Sequence, residues 1–201
     1  MKKMFFFGIL IQLFTSVQAQ APIDLGSLSE RMENYDFQFL CINDALKHPN
    51  PDGVTELYIY QCEEDFNSFP REIFKFKNLR VLIICYAIRE IPRDITRFKN
   101  LEVLIVWAGD LQFLPYEMGN MAKLRLLDVS FNKIRYLPQS FVNLQNLEQL
   151  DLMNNKFKSF PYHLRQLPKL KSISWTGNPC NVIPQDFRYS TTLKKGLVSC
   201  W

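Results

Sequence analysis

The stretch Leu124–Arg125–Leu126–Leu127–Asp128–Val129–Ser130–Phe131–Asn132–Lys133–Ile134 sets apolar residues at its first, fourth, sixth and eleventh positions and asparagine at the ninth. It continues through Leu137–Pro138 to Phe141 and Leu144. The next stretch repeats it, with Leu147, Leu150, Leu152, Asn155, Phe157, Phe160–Pro161, Leu164 and Leu167. The preceding one matches too, with Leu101, Leu104, Val106, Leu111, Leu114–Pro115, Met118 and Met121, although Gly109 stands where asparagine is expected. Prolines mark the register along the chain, at Pro70, Pro92, Pro115, Pro138, Pro161 and Pro184, with gaps of 22, 23, 23, 23 and 23 residues. Self-similarity at one period in this range means stacked units, each unable to bury its apolar side alone.

The chemistry of one unit follows from its spacing. Side chains at positions 4 and 6 point one way and those at 3, 5 and 7 the other, the period of a β-strand. Stacking therefore builds one parallel sheet, with Leu127 and Val129 on its inner face. The position-9 amide is placed to satisfy turning backbone groups inside the coil, where water does not reach. Proline after the position-14 residue fixes its own φ and biases its predecessor, so the chain turns there to its outer side.

This pattern resembles the leucine-rich-repeat family, in the 23-residue class common in bacterial proteins. The resemblance covers residues 54 to about 187, as units 54–78, 79–100, 101–123, 124–146, 147–169 and a partial 170–187. It implies an α/β solenoid, a horseshoe with short parallel strands on the concave face and irregular, 3-10 or helical turns on the convex face. Departures fall early in the array. The ladder Asn132, Asn155, Asn178 is replaced by Cys62, Ala87 and Gly109, unit 79–100 is one residue short, and unit 54–78 carries two extra residues. Looser or water-filled turns are expected there, and Cys62, at a position where the family tolerates cysteine, reads as an interior thiol.

A solenoid needs its ends covered. Residues 20–53 read as an N-terminal cap: Ser27–Leu28–Ser29–Glu30 has the spacing of a helix-capping box, Tyr35–Phe39 alternates like a strand, and Ile42–Leu46 resembles the short helix that introduces the repeats in bacterial members. Residues 188–201 read as a C-terminal cap. Gly177–Asn178–Pro179–Cys180 is similar to the start of the cysteine-containing caps of extracellular leucine-rich-repeat proteins, which usually hold two disulfides. Here Cys180 and Cys200 allow one at most; the alternative is two small buried thiols.

Lys2 and Lys3, the apolar run Met4–Val17 and the small residues at Val17 and Ala19 have the three parts of a secretory signal, expected to span residues 1–19. The run is too short for a span, which needs roughly 20 apolar residues. The expected product is exported, periplasmic or secreted, with no stable membrane span after cleavage. Losing Lys2 and Lys3 leaves 22 basic against 20 acidic side chains, so the net charge falls from +4 to +2. That near-neutral balance makes no case for nucleic acid.

Nothing in the sequence assembles a catalytic or cofactor site. No cysteine pair has zinc-ligand spacing, and no phosphate-cradling glycine loop is present. His48 and His163 lie in different units, neither beside Cys85, the concave-face thiol. Asp128 and Asp151 occupy equivalent positions on adjacent strands and read as ordinary strand-face carboxylates. No cofactor and no metal are expected, and the chain reads as a binding module.

Down the register, position 5 gives Tyr58, Ile83 and Ile105, then Asp128, Asp151 and Ser174. Position 7 gives Tyr60, Cys85 and Trp107, then Ser130, Met153 and Thr176. Position 8 gives Tyr86, Ala108, Phe131, Asn154 and Gly177. The concave face is therefore expected to expose an aromatic and apolar patch in its N-terminal half, with Tyr58, Tyr60, Ile83, Tyr86, Ile105, Trp107 and Phe131 as the contact residues for a protein or peptide ligand. Alternatives are a homo-oligomer formed through the same patch, or a cap folded over it. The export signal suits an envelope protein and a secreted effector that engages a host protein equally.

Overall fold

The computed structural model describes residues 45–47, 49–60, 68–180 and 198–199. The chain divides into two compact units, Met1–Phe37 and Gln38–Trp201. The first lies outside the described residues, as do the expected signal, most of the N-terminal cap, Cys62, Pro184 and Cys200.

Within the second unit a parallel seven-stranded sheet runs in sequence order. Its strands are β1 (Glu56–Tyr60), β2 (Val81–Cys85), β3 (Val103–Val106), β4 (Leu126–Asp128), β5 (Gln149–Asp151), β6 (Ser172–Ser174) and β7 (Val198–Ser199). Equivalent repeat positions pair without slippage: Leu57, Leu82, Leu104, Leu127, Leu150 and Ile173 form one unbroken row. A slip of one residue would turn every inward side chain to the other face, so the apolar row itself fixes the register.

On the way back each unit passes through one 3-10 turn: Arg71–Lys75, Arg93–Arg97, Tyr116–Asn120, Gln139–Asn143 and Tyr162–Gln166. Each begins directly after its registered proline. The proline carbonyl accepts the N–H three residues on, as Phe141 donates to Pro138 at 3.1 Å and Leu164 to Pro161 at 3.1 Å. Proline loses nothing there, because the first residues of a helical turn have no intrahelical acceptor for their N–H groups. The expected solenoid of short strands and 3-10 turns is the observed one.

Stacked side chains fill the coil. In the unit opened by Leu124, that residue and Leu127, Val129, Ile134, Phe141 and Leu144 are all fully buried, with Leu137 nearly so. Each fully buried leucine of this kind contributes roughly 2 kcal/mol of apolar burial. The helical start before the repeats survives at Ala45–Leu46, and a 3-10 turn at Pro51–Gly53 leads to the buried Val54.

The asparagine ladder does what its position predicts. Asn155 accepts the N–H of Ile134 through Oδ1 at 3.0 Å and donates through Nδ2 to the carbonyls of Val129 at 2.9 Å and Met153 at 3.1 Å. Asn132 reaches back in the same way, accepting from Leu111 N at 3.1 Å and donating to Val106 O at 2.8 Å. Asn178 repeats these contacts one unit on, accepting from Phe157 N at 3.3 Å and donating to Leu152 O at 2.8 Å. A Cβ at Gly109 would come within 2.7 Å of Asn132 Oδ1, which is why the side chain is absent there.

Position 8 is the second fixed point of the turn. Ala108, Phe131, Asn154 and Gly177 all take left-handed backbone, with φ of 57°, 55°, 51° and 78°. Asparagine and glycine enter that region easily, whereas phenylalanine does so only under constraint.

Candidate binding surface of the sheet

The strands carry a second apolar stripe on the face opposite the core. Tyr58, Val81, Ile83, Ile105, Trp107 and Leu126 are buried, yet none belongs to the contiguous core cluster. Alternation along β1, β2 and β3 places them there, between core residues such as Leu57 and Ile59, or Leu82 and Ile84.

Five of the seven expected contact residues need correction. Tyr58, Ile83 and Ile105 are at most 1% exposed and Trp107 is 6% exposed, so they do not stand open to solvent as expected. The physical reason is that leaving these side chains in water would cost about 25 cal/mol per Å² of apolar surface, so the chain buries this face as well as its core. Tyr86 is corrected differently, because it belongs to the core cluster. Its unit lacks one residue in the turn, and the left-handed step taken by Ala108, Phe131 and Asn154 is absent at Tyr86. Without that step its side chain packs inward. Of Tyr60 the structure describes the backbone, paired with Cys85.

Phe131 remains on the accessible side. It is half-buried, and its ring meets Trp107 edge-on with centroids 5.4 Å apart. It stands where the buried apolar stripe gives way to polar residues. Beyond it Asp128, Asp151, Met153, Asn154, Ser174 and Thr176 are half-buried.

Asp128 and Asp151 are register partners. Desolvation raises both carboxyls above their ordinary range, and Asp128 raises Asp151 further. Local hydrogen bonds hold them in place: Ser130 donates to Asp128 Oδ1 through N at 2.8 Å and Oγ at 2.6 Å, and Met153 N donates to Asp151 at 2.9 Å. Burial, with Asp128 nearby, pushes the Cys85 thiol up to about 12. A thiol so high is no nucleophile at neutral pH. Among the described residues no group of three histidines, cysteines or carboxylates is placed to hold a metal ion.

The sequence reading passed over Gln149. It is 4% exposed at the start of β5, and neither its Oε1 nor its Nε2 has a hydrogen-bond partner. The signal lay at position 3 of the register, where Val81, Val103 and Leu126 give way to Gln149 and Ser172.

A family model described as a leucine-rich repeat region matches residues 54–199. The chain belongs to the leucine-rich-repeat family. Among solved structures, a leucine-rich-repeat protein of Leptospira interrogans is similar over 81% of this chain and 47% of its own, at 23% identity and a TM-score of 0.62. Internalin C2 of Listeria monocytogenes is similar over 65% of this chain and 55% of its own, at 16% identity and a TM-score of 0.54. The chain thus spans about half the length of these structures, and the likeness is one of fold. No curated protein matches it. Leucine-rich repeats commonly serve as protein-interaction modules, and among the described residues no helix is long and apolar enough to cross a membrane.

Proposed function

We propose that this leucine-rich-repeat chain is an exported, non-catalytic module that binds a protein or peptide ligand on its concave sheet. The observation that carries the reading is Phe131. A bulky aromatic is held there at φ 55°, edge-on to Trp107, at the boundary between an apolar stripe and a row of polar strand residues. The turn dictates this backbone in four units, and what sets Phe131 apart is an aromatic residue kept there at a cost of roughly 1–2 kcal/mol where glycine or asparagine would fit more easily. The stripe beside it is already buried within the chain, so the reading rests on the accessible residues at its edge, Phe131 with Met153 and Asn154. Aromatic side chains are also the ones that most often carry interface energy. The burial that pushes the Cys85 thiol up favours binding over catalysis.

The test replaces Phe131 by a photo-crosslinking phenylalanine analogue, with a second variant carrying it at the exposed Tyr162 as control. After fractionation of the producing cells, crosslinks to a different exported protein from position 131 and not from 162 are expected. Crosslinks only between copies of the chain would instead make it self-associating. Equal labelling from both positions would remove the concave face from consideration.

A further inference from the structure

The turn after each strand carries a charged surface unrelated to the concave face. Lys133–Ile134–Arg135 and Lys156–Phe157–Lys158 take equivalent positions in adjacent units, with Ile134 and Phe157 buried and the four cations exposed. One backbone hydrogen bond per unit holds these segments together: Lys133 N donates to Leu111 O at 2.8 Å, Lys156 N to Ile134 O at 2.8 Å and Cys180 N to Phe157 O at 2.9 Å. The four cations line a groove of about 360 Å³ that Pro179 and Gln112 complete.

Like charges this close repel one another, and elsewhere the chain avoids the arrangement. At position 2 the signs alternate from unit to unit, through Arg80, Glu102, Arg125, Glu148 and Lys171, with contacts of 2.7, 3.7, 2.8 and 2.6 Å. In the groove only Lys133 has an ion-pair partner among the described residues, Asp110 Oδ1 at 2.7 Å. Arg135, Lys156 and Lys158 have none.

We infer that this groove is a docking site for an extended acidic polypeptide segment. Three features fit that occupant. In each segment a buried apolar residue, Ile134 or Phe157, separates two exposed cations, so both cations are open to the carboxylates of a chain laid across them. The anion already seated at one corner is a carboxylate, that of Asp110. Next in sequence to the lining residues Gln112 and Arg135, Phe113 and Tyr136 occupy equivalent positions of adjacent units and are 47% and 62% exposed. They offer a protein partner aromatic contact beside Arg135, the residue types enriched where interfaces hold their energy.

The site is independent of the concave-face reading, and its test keeps the two apart. Fluorescence anisotropy of the purified chain is measured with a labelled peptide of alternating glutamates flanking a leucine, against the same peptide with glutamines. The glutamate peptide is expected to bind, the glutamine peptide to bind about tenfold more weakly, and added salt to weaken the first. Arg135→Glu with Lys158→Glu should cost about tenfold, and Phe113→Ser with Tyr136→Ser about fivefold, with the circular dichroism unchanged. Phe131→Ser should bind the peptide as the unmodified chain does. Equal binding of both peptides, or no effect of the charge reversal, would overturn the proposal. So would tighter binding of dextran sulfate or single-stranded DNA than of the peptide.

Discussion

Asp128 and Asp151 stand directly opposite one another on β4 and β5, each half-buried. Both titrate above the ordinary carboxylate range, each through desolvation and Asp151 also through the charge of Asp128. A raised carboxyl means that the folded chain holds its proton more tightly than the unfolded one. Stability contributed by this pair is therefore greatest at acid pH and falls as pH rises from the unfolded value of about 3.9 through the raised folded values. Asp151→Asn keeps an oxygen for Met153 N and removes one charge. It should stabilise the chain at pH 7 by about 0.5–1 kcal/mol, the cost of like charges directly opposite in a sheet. Urea midpoints at pH 7 and pH 5 check this, with the gain shrinking at the lower pH.

Glu148 has the opposite sign. Burial pushes its carboxyl up, but hydrogen bonds from Lys171 and Arg125, with their charges, bring it below its ordinary range. Its contribution is present above the unfolded value of about 4.3 and is lost as pH falls through the folded value. Glu148→Gln should therefore destabilise the chain at pH 7 and progressively less below pH 4. Because the pair of aspartates works the other way, the unmodified chain is expected to be most stable at mildly acidic pH. Thermal melts from pH 3 to 8 should show that maximum, moved toward neutrality in Asp151→Asn.

Asn155→Ala tests the ladder. The amide is 1% exposed and serves Ile134 N, Val129 O and Met153 O, so its loss leaves several buried backbone groups without partners. One such group costs about 1–3 kcal/mol, and the loss expected here is about 2–4 kcal/mol in a urea titration. Asn155→Asp should recover little, since a carboxylate can accept from Ile134 but cannot donate to the two carbonyls. An unchanged midpoint for the alanine variant would show that water replaces the amide.

The repeat was legible because it depends on local spacing. Leu127, Val129, Asn132, Ile134 and Pro138 each answer to one geometric demand, and those demands recur every 23 residues. The direction of the position-5 side chains was legible for the same reason, since alternation puts Ile83 and Ile105 on the face away from the core. Their exposure was not, because whether a face stays open depends on tertiary packing and not on period. Tyr86 illustrates a second limit. A single missing residue changes the backbone of the turn, and a register count cannot say which way the next side chain then points. The cations at Lys133, Arg135, Lys156 and Lys158 were readable in principle down positions 10 and 12. They stand out only once the alternating ladder at Arg80, Glu102, Arg125, Glu148 and Lys171 shows what ordinary neutralisation looks like in this chain.

Cys180 gives the last prediction. It packs half-buried against the end of the core, and its carbonyl accepts Trp175 Nε1 at 2.8 Å, so the backbone at this cysteine is fixed. Its proposed disulfide partner, Cys200, lies outside the described residues. In an exported protein the pair would meet oxidising conditions, and a bridge across a loop of about 20 residues is worth roughly 3 kcal/mol when unstrained. The chain has five cysteines. Alkylation of the denatured protein without reductant should therefore add three groups, at Cys41, Cys62 and Cys85, and reduction should raise the number to five. Peptide mapping should find Cys180 and Cys200 unmodified in the first case. Alkylation at either of them before reduction would show that they are thiols, and Cys180→Ser should then leave the melting temperature nearly unchanged.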